Sequence, residues 1–125
     1  MNEQIKALTM RELEKLGAVE VVFHALGAET VDGDTSLTPF DVSRFKEGSF
    51  FLAVTALTGT NIIVTIKTKD PGSANWSTIT TFTTATGATA EAKHVAANLG
   101  SKIAAFWDMT ATTVTFSIYA VLKTK

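Results

Sequence analysis

The sequence predicts an all-β fold, an antiparallel β-sandwich of jelly-roll-like type with about seven or eight short strands. Three observations predict it. Apolar residues alternate with polar ones over most of the chain, as they do on a half-buried pleated strand. About one residue in six is threonine, a β-branched type that suits such a surface, while there are only two prolines. Turn signals recur at short intervals from residue 18 onward with no helical pattern between them, which argues against a βαβ fold.

The elements follow in order. Residues 1–17 read as an N-terminal arm or short helix ahead of a sandwich domain over 18–125. Thr9-Met10-Arg11-Glu12 has the spacing of a capping box, and Gly17 suits a helix end. Ile5, Leu8, Leu13 and Leu16 form an apolar stripe that a helix this short cannot bury alone, so it needs a docking surface. A first strand covers Val19 to His24. Asp32-Gly33-Asp34 marks a turn, and a short edge strand is expected from Leu37 to Val42 despite Pro39. Phe50, Leu52, Val54 and Ala56 share one face of the next strand. Thr58-Gly59-Thr60 then turns the chain into a strand lined by Ile62, Val64 and Ile66, so these two are expected to form a hairpin.

Asp70-Pro71-Gly72-Ser73-Ala74-Asn75 is the strongest turn signal, with proline and glycine each presetting a φ. A Thr-rich strand follows from Trp76 to Thr84. Ile79 and Phe82 have opposite parity in it, which predicts a bulge or an exposed aromatic. Further strands cover Ala90 to Ala96 and, after an Asn98-Leu99-Gly100 turn, Ser101 to Asp108, with Ile103, Ala105 and Trp107 on one face. The last strand, Thr112 to Lys123, turns Val114, Phe116, Ile118, Ala120 and Leu122 inward and Tyr119 outward.

Composition narrows the function. With 125 residues and no cysteine, the chain needs no disulfide to fold and has no thiol chemistry or Cys-based metal site. Its net charge of −1, with both signs scattered, gives no basic stripe for nucleic acid. No apolar run approaches the roughly 20 residues of a membrane helix, and the first residues do not read as a secretory signal. A soluble protein made in the cytoplasm is expected.

The search for reactive constellations points away from catalysis. His24 and His94 fall in separate strands and read as surface or interface residues. Asp32-Gly33-Asp34 lacks the remaining ligands of an EF-hand loop and reads as a turn. There is no nucleophile elbow, phosphate loop or dinucleotide fingerprint. The expectation is a protein that is not an enzyme, with no catalytic residues, cofactor or metal. Among the aromatics, parity favours the core for Trp107, and Tyr119 is the better surface candidate.

The order of motifs carries a resemblance. Thr58-Gly59-Thr60 precedes the Ile62/Val64/Ile66 strand, and Asp70-Pro71-Gly72-Ser73-Ala74-Asn75 leads to Trp76. Then come Phe82-Thr83-Thr84, Asn98-Leu99-Gly100, a strand with Trp107, and Val114-Thr115-Phe116-Ser117-Ile118. Over about residues 30–123 this pattern resembles small β-sandwich virion proteins of tailed bacteriophages and prophages, above all head decoration (cement) proteins. The resemblance implies a virion structural protein that binds and stabilises the head lattice from the capsid surface, with a neck or tail component as the alternative. Its implied partners are the major capsid protein or other virion proteins and further copies of itself, for instance as a trimer. Contact candidates are Ile5, Leu8, Leu13 and Leu16 of the arm, with Tyr119 on the sandwich. A reading from another class is a carbohydrate-binding module or adhesin that uses Tyr119 and Trp76.

Overall fold

The computed structural model describes residues 17–69, 72 and 74–124. The expected arm, with Ile5, Leu8, Leu13 and Leu16, lies outside the described residues, as do Asp70, Pro71 and Ser73 of the expected turn. The described chain is all-β, with seven antiparallel strands in one hydrogen-bonded sheet. These are β1 (Ala18–Glu29), β2 (Gly33–Asp34), β3 (Phe40–Asp41), β4 (Glu47–Lys69), β5 (Trp76–Thr81), β6 (Thr89–Val95) and β7 (Lys102–Lys123).

Two strands organise everything. β4 and β7 pair along their whole length, from Glu47 opposite Lys123 to Lys69 opposite Lys102. Their outer edges are occupied piecewise. β1 pairs with the later part of β7, and β2 and β3 with its earlier part. On the other side β6 pairs with the earlier part of β4 and β5 with the later part. The long ribbon therefore carries two short sheets. We call the one built with β1 and β6 the first layer, and the one built with β2, β3 and β5 the second layer.

Between the layers the ribbon bends. Its register shifts between Val54 and Ala56, between Thr58 and Gly59, and between Gly59 and Asn61. Each shift inserts one residue into one strand, which kinks it and increases its twist. Two insertions fall on β4 and one on β7. Inward parity on β4 is thus restored, with Phe50, Leu52 and Val54 before the bend and Ile62, Val64 and Ile66 after it. On β7 it flips, from Ile103, Ala105 and Trp107 to Val114, Phe116, Ile118, Ala120 and Leu122. All of these side chains are buried in one cluster. The layers meet face to face as a sandwich, with Trp107 of the second packed edge-on against Phe116 of the first at 5.5 Å between ring centroids.

Gly59 explains the bend locally. Its φ of +130° is open to glycine, and a Cβ there would lie 2.5 Å from the Ala111 Cα. This corrects the hairpin expectation: the segments around Gly59 are one bent strand and pair with β7, not with each other. A Gly-Thr pair serves a bulge as well as a turn, because both need an unusual φ. The last two expected strands likewise merge into β7. The expected edge strand from Leu37 shrinks to Phe40–Asp41, since Thr38 N–H already donates to Thr35 O in a turn and Pro39 has no N–H to give.

Other local readings hold. Asn98 and Gly100 both have positive φ, at 64° and 82°. Between them Leu99 is buried, and the Thr68 hydroxyl donates to Leu99 O at 2.8 Å and Lys102 O at 3.1 Å. The parity conflict in β5 is resolved by a bulge: register shifts between Ile66 and Lys67, and Ile79 packs against the core.

Candidate interaction face

Because β4 and β7 run through both layers, the outward residues of the same two strands make two different external surfaces. On the first layer the register aligns Val22, Tyr119, Phe51 and Ala92 in one row across β1, β7, β4 and β6. Val22 is 52% exposed and Phe51 40%, while Tyr119 is half-buried and Ala92 exposed. Beside this row lies a shallow hollow of about 440 Å³, lined by Phe51, Ala53, Ala90, Ala92, Ser117 and Tyr119 among others. Ser117 is the one buried polar residue among the described residues, although its parity is outward.

Charged groups border the row at one end. The next row reads Glu20, Val121, Ser49 and His94, and beyond it Lys123 stands opposite Glu47. The His94 ring is held there, with Nδ1 3.0 Å from the Ser49 hydroxyl and Nε2 3.9 Å from the Glu47 carboxylate.

The outer face of the second layer is polar and aromatic. Trp76 and Phe106 form an edge-on pair at 5.5 Å. The ammonium of Lys67 lies 4.7 Å from the centre of the Phe106 ring, and that of Lys69 lies 5.4 Å from the Trp76 ring. Such contacts are worth about 0.5–1 kcal/mol at exposed sites. A hollow of about 420 Å³ beside them is lined by Asp32, Asp34, Asp108, Thr65, Lys67 and Phe106, among others.

Three carboxylates of this layer are engaged with backbone. Asp32 accepts from Met109 N–H at 2.6 Å. Asp34 accepts from the amide and hydroxyl of Ser36, and Asp41 from those of Ser43. The Ser36 hydroxyl and amide hold the Asp34 carboxyl below the usual range. The Ser43 amide and hydroxyl do the same for Asp41. On the first layer Glu91 is also lowered: burial opposes this, but donation from the Thr83 amide and hydroxyl outweighs it. The Asp32-Gly33-Asp34 segment is thus a strand start clamped to β7. Among the described residues no group of three or more His, Cys, Asp or Glu is arranged to hold a metal ion.

The structure relocates several residues singled out by sequence. Trp107 is in the core, its indole N–H 3.3 Å from Val31 O and its ring close beneath Gly33. Tyr119 faces outward as expected. Trp76 does not join it: the two lie on outer faces of different layers, so they make no common stacking platform. His24 is a correction. A one-residue shift after Val22 turns its ring into the interior, where the side chain is only 10% exposed and stacks on Phe116 at 4.1 Å. Its Nδ1 lies 3.0 Å from Phe116 O and its Nε2 2.8 Å from the Glu29 carboxylate. Both partners are acceptors, so both contacts are hydrogen bonds together when the ring carries both protons. His94 is on the surface, as expected. Phe51 and Val22 were missed as site residues. Outward parity marked Phe51, but only the register puts it beside Tyr119.

Comparison with known proteins establishes the class of fold. No family model matches the chain, and no curated protein matches it by sequence. Solved structures do match. The PBSX exported protein XepA aligns with a TM-score of 0.62 at 11% identity, over 84% of this chain and 37% of that one. Eiger TNF from S. frugiperda aligns at 0.52 and 10%, over 85% and 90%. The SPBc2 prophage-derived protein YomS aligns at 0.48 and 13%, over 84% and 91%. At these identities the likeness is one of fold, an all-β sandwich.

Proposed function

We propose that this protein is a structural component of a phage or prophage virion, a capsid decoration protein that binds the head lattice by protein–protein contact and catalyses no reaction. The observation that carries the reading is the apolar row Val22–Tyr119–Phe51–Ala92 on an outer sheet face. A contiguous, partly exposed apolar surface marks a contact site. Three further observations support it. The order of turn and core motifs resembles virion sandwich proteins, and the fold is shared with the PBSX exported protein XepA. The carboxylates Asp32, Asp34, Asp41 and Glu91 are engaged in holding backbone, which leaves them structural work. In this reading the partners are the major capsid protein and other copies of the chain, and many modest contacts on a repeated lattice supply avidity.

The test mixes purified protein separately with heads that lack it and with tails, and follows each mixture through a density gradient. Co-sedimentation with heads is expected, and its loss in Phe51→Asp would place the contact on the first layer. Co-sedimentation with tails alone would move the protein to the neck or tail. Binding to no virion part would overturn the reading.

A further inference from the structure

Resting on that reading, we infer that in the free protein, before it meets a head, the apolar row of the first layer is covered by a second copy of this chain, packed face to face about a two-fold axis parallel to β4 and β7. The argument is one of self-complementarity. A two-fold interface sets the same patch against itself, so each residue must tolerate the one that the rotation brings over it. With the axis running between β4 and β7, β7 of one copy lies over β4 of the other, and β1 lies over β6.

Every row then meets a suitable partner. Tyr119 falls over Phe51, and Val22 over the small Ala92, so the apolar row closes on itself. At the charged end Glu20 falls over His94, and Lys123 over Glu47. The alternative axis, perpendicular to the strands, sets β1 over β1 and β6 over β6 and aligns no charge with its opposite. Stacked sheets cross at about −30°, an angle that a two-fold axis along the ribbon accommodates with each sheet tilted by half of it. The outer face of the second layer lacks this property: Lys102 and Lys69 are neighbours there and no apolar row crosses it.

The size of the face sets the strength. Four strands about 4.8 Å apart and seven residues of about 3.4 Å each give a footprint on the order of 400 Å² per copy. That is about half the area per partner of a stable specific interface, so the pair is a weak one that forms and dissociates with concentration.

The experiment uses the full chain, which has no cysteine of its own. Sedimentation equilibrium should show a reversible monomer–dimer transition. Phe51→Asp should raise the dissociation constant by about 30-fold or more, as loss of a central hot spot does. Thr78→Asp, which adds the same carboxylate on the outer face of the second layer, should leave it unaltered. Circular dichroism melts confirm that both variants fold, since neither side chain belongs to the core. The axis is read with a short bis-maleimide on Val22→Cys, on Ala92→Cys and on the double variant. Only the double variant should give a covalent dimer in high yield. Cross-linking of either single variant to itself would overturn the proposed axis. A chain that stays monomeric at all concentrations would overturn the dimer, and so would a dimer that Phe51→Asp leaves intact. Binding to heads is scored separately: heads bound by a protein that never self-associates would refute this inference and leave the virion reading standing.

Discussion

The two layers are alike inside and opposite outside. Each contributes an alternating set of inward side chains from the same two strands, and those sets join in one core. Outside, the first layer shows Val22, Phe51, Tyr119 and Ala92, and the second shows Lys67, Lys69, Trp76 and Phe106. Alternation on a strand separates these roles cleanly. The inward positions are constrained by packing in both layers, and the outward ones are free to differ. The apolar row is where the outward positions of the first layer depart from an ordinary wet surface.

The sharpest way to break the comparison is to remove what joins the layers. Phe116 is fully buried in the first layer and touches Trp107 of the second and the His24 ring. Phe116→Ala should cost about 3–5 kcal/mol in urea unfolding, the range for a buried aromatic truncated to a cavity. A loss below about 1 kcal/mol would show that the layers are not held together there.

The next largest effect should come from the bend. Gly59→Val places a β-branched residue at a φ of +130° and drives its Cβ against the Ala111 backbone. Strain of this kind costs about 1–3 kcal/mol. If Gly59 sat in an open hairpin loop, the Cβ would find space and only the φ penalty would remain. Gly17→Val supplies that reference, because Gly17 also has a positive φ, 77°, and a Cβ there meets nothing within 4 Å. Equal losses at the two glycines would argue against a packed bend.

How much of this was legible in the sequence follows from what a linear pattern encodes. Inward parity is local, so Phe50, Leu52 and Val54, the Ile62/Val64/Ile66 set and the even-numbered residues of the last strand were all readable. So was the parity conflict at Ile79. Continuity through Gly59 was not, because a bulge and a turn ask for the same residue. The parity flip on β7 was visible between Trp107 and Val114, yet it has two physical causes, a strand end or an inserted residue, and only the pairing with β4 selects the second. His24 was misplaced for the same reason: one inserted residue in β1 reverses its side. The interaction face was the least legible part. Tyr119 could be marked as outward, but Val22, Phe51 and Ala92 lie 97, 68 and 27 positions away from it in sequence, and only the register puts them in one row.

A smaller effect sharpens the contrast between packed and outward positions. Thr113 is on the outward parity of β7, opposite Thr58 at the bend, and is half-buried. Thr113→Ala should change stability by no more than about 0.5 kcal/mol, as surface substitutions do. A large loss would mean that the β7 register, and with it the apolar row, is displaced by one residue.

The smallest effect is one of acid, and it bears on the second layer. Asp34 closes β2 and Asp41 closes β3, the two short strands that edge this layer against β7. Both carboxyls are held below their ordinary range by donors from Ser36 and Ser43. A carboxyl with a depressed folded-state pKa contributes stability above its unfolded pKa and loses it as pH falls through the folded value. Wild type should therefore exceed Asp34→Asn/Asp41→Asn in stability at pH 7, and the gap should close as pH falls below about 4. Both groups are largely solvated, so the gap is small, and urea titrations at matched ionic strength are needed to see it. Hydrogen exchange then says where it falls: amides of β2 and β3 should lose protection in acid before those of β1. Glu91 tests whether the layer matters at all, since it is depressed in the same way on β6 of the first layer. Glu91→Gln should weaken residues 83–91 at pH 7, where it accepts from Thr83, remove their acid sensitivity, and leave β2 and β3 unchanged. The absence of any gap at pH 7 would show that the Ser36 and Ser43 donors hold an amide as well as a carboxylate. The edge of the second layer would then be set by strand pairing alone.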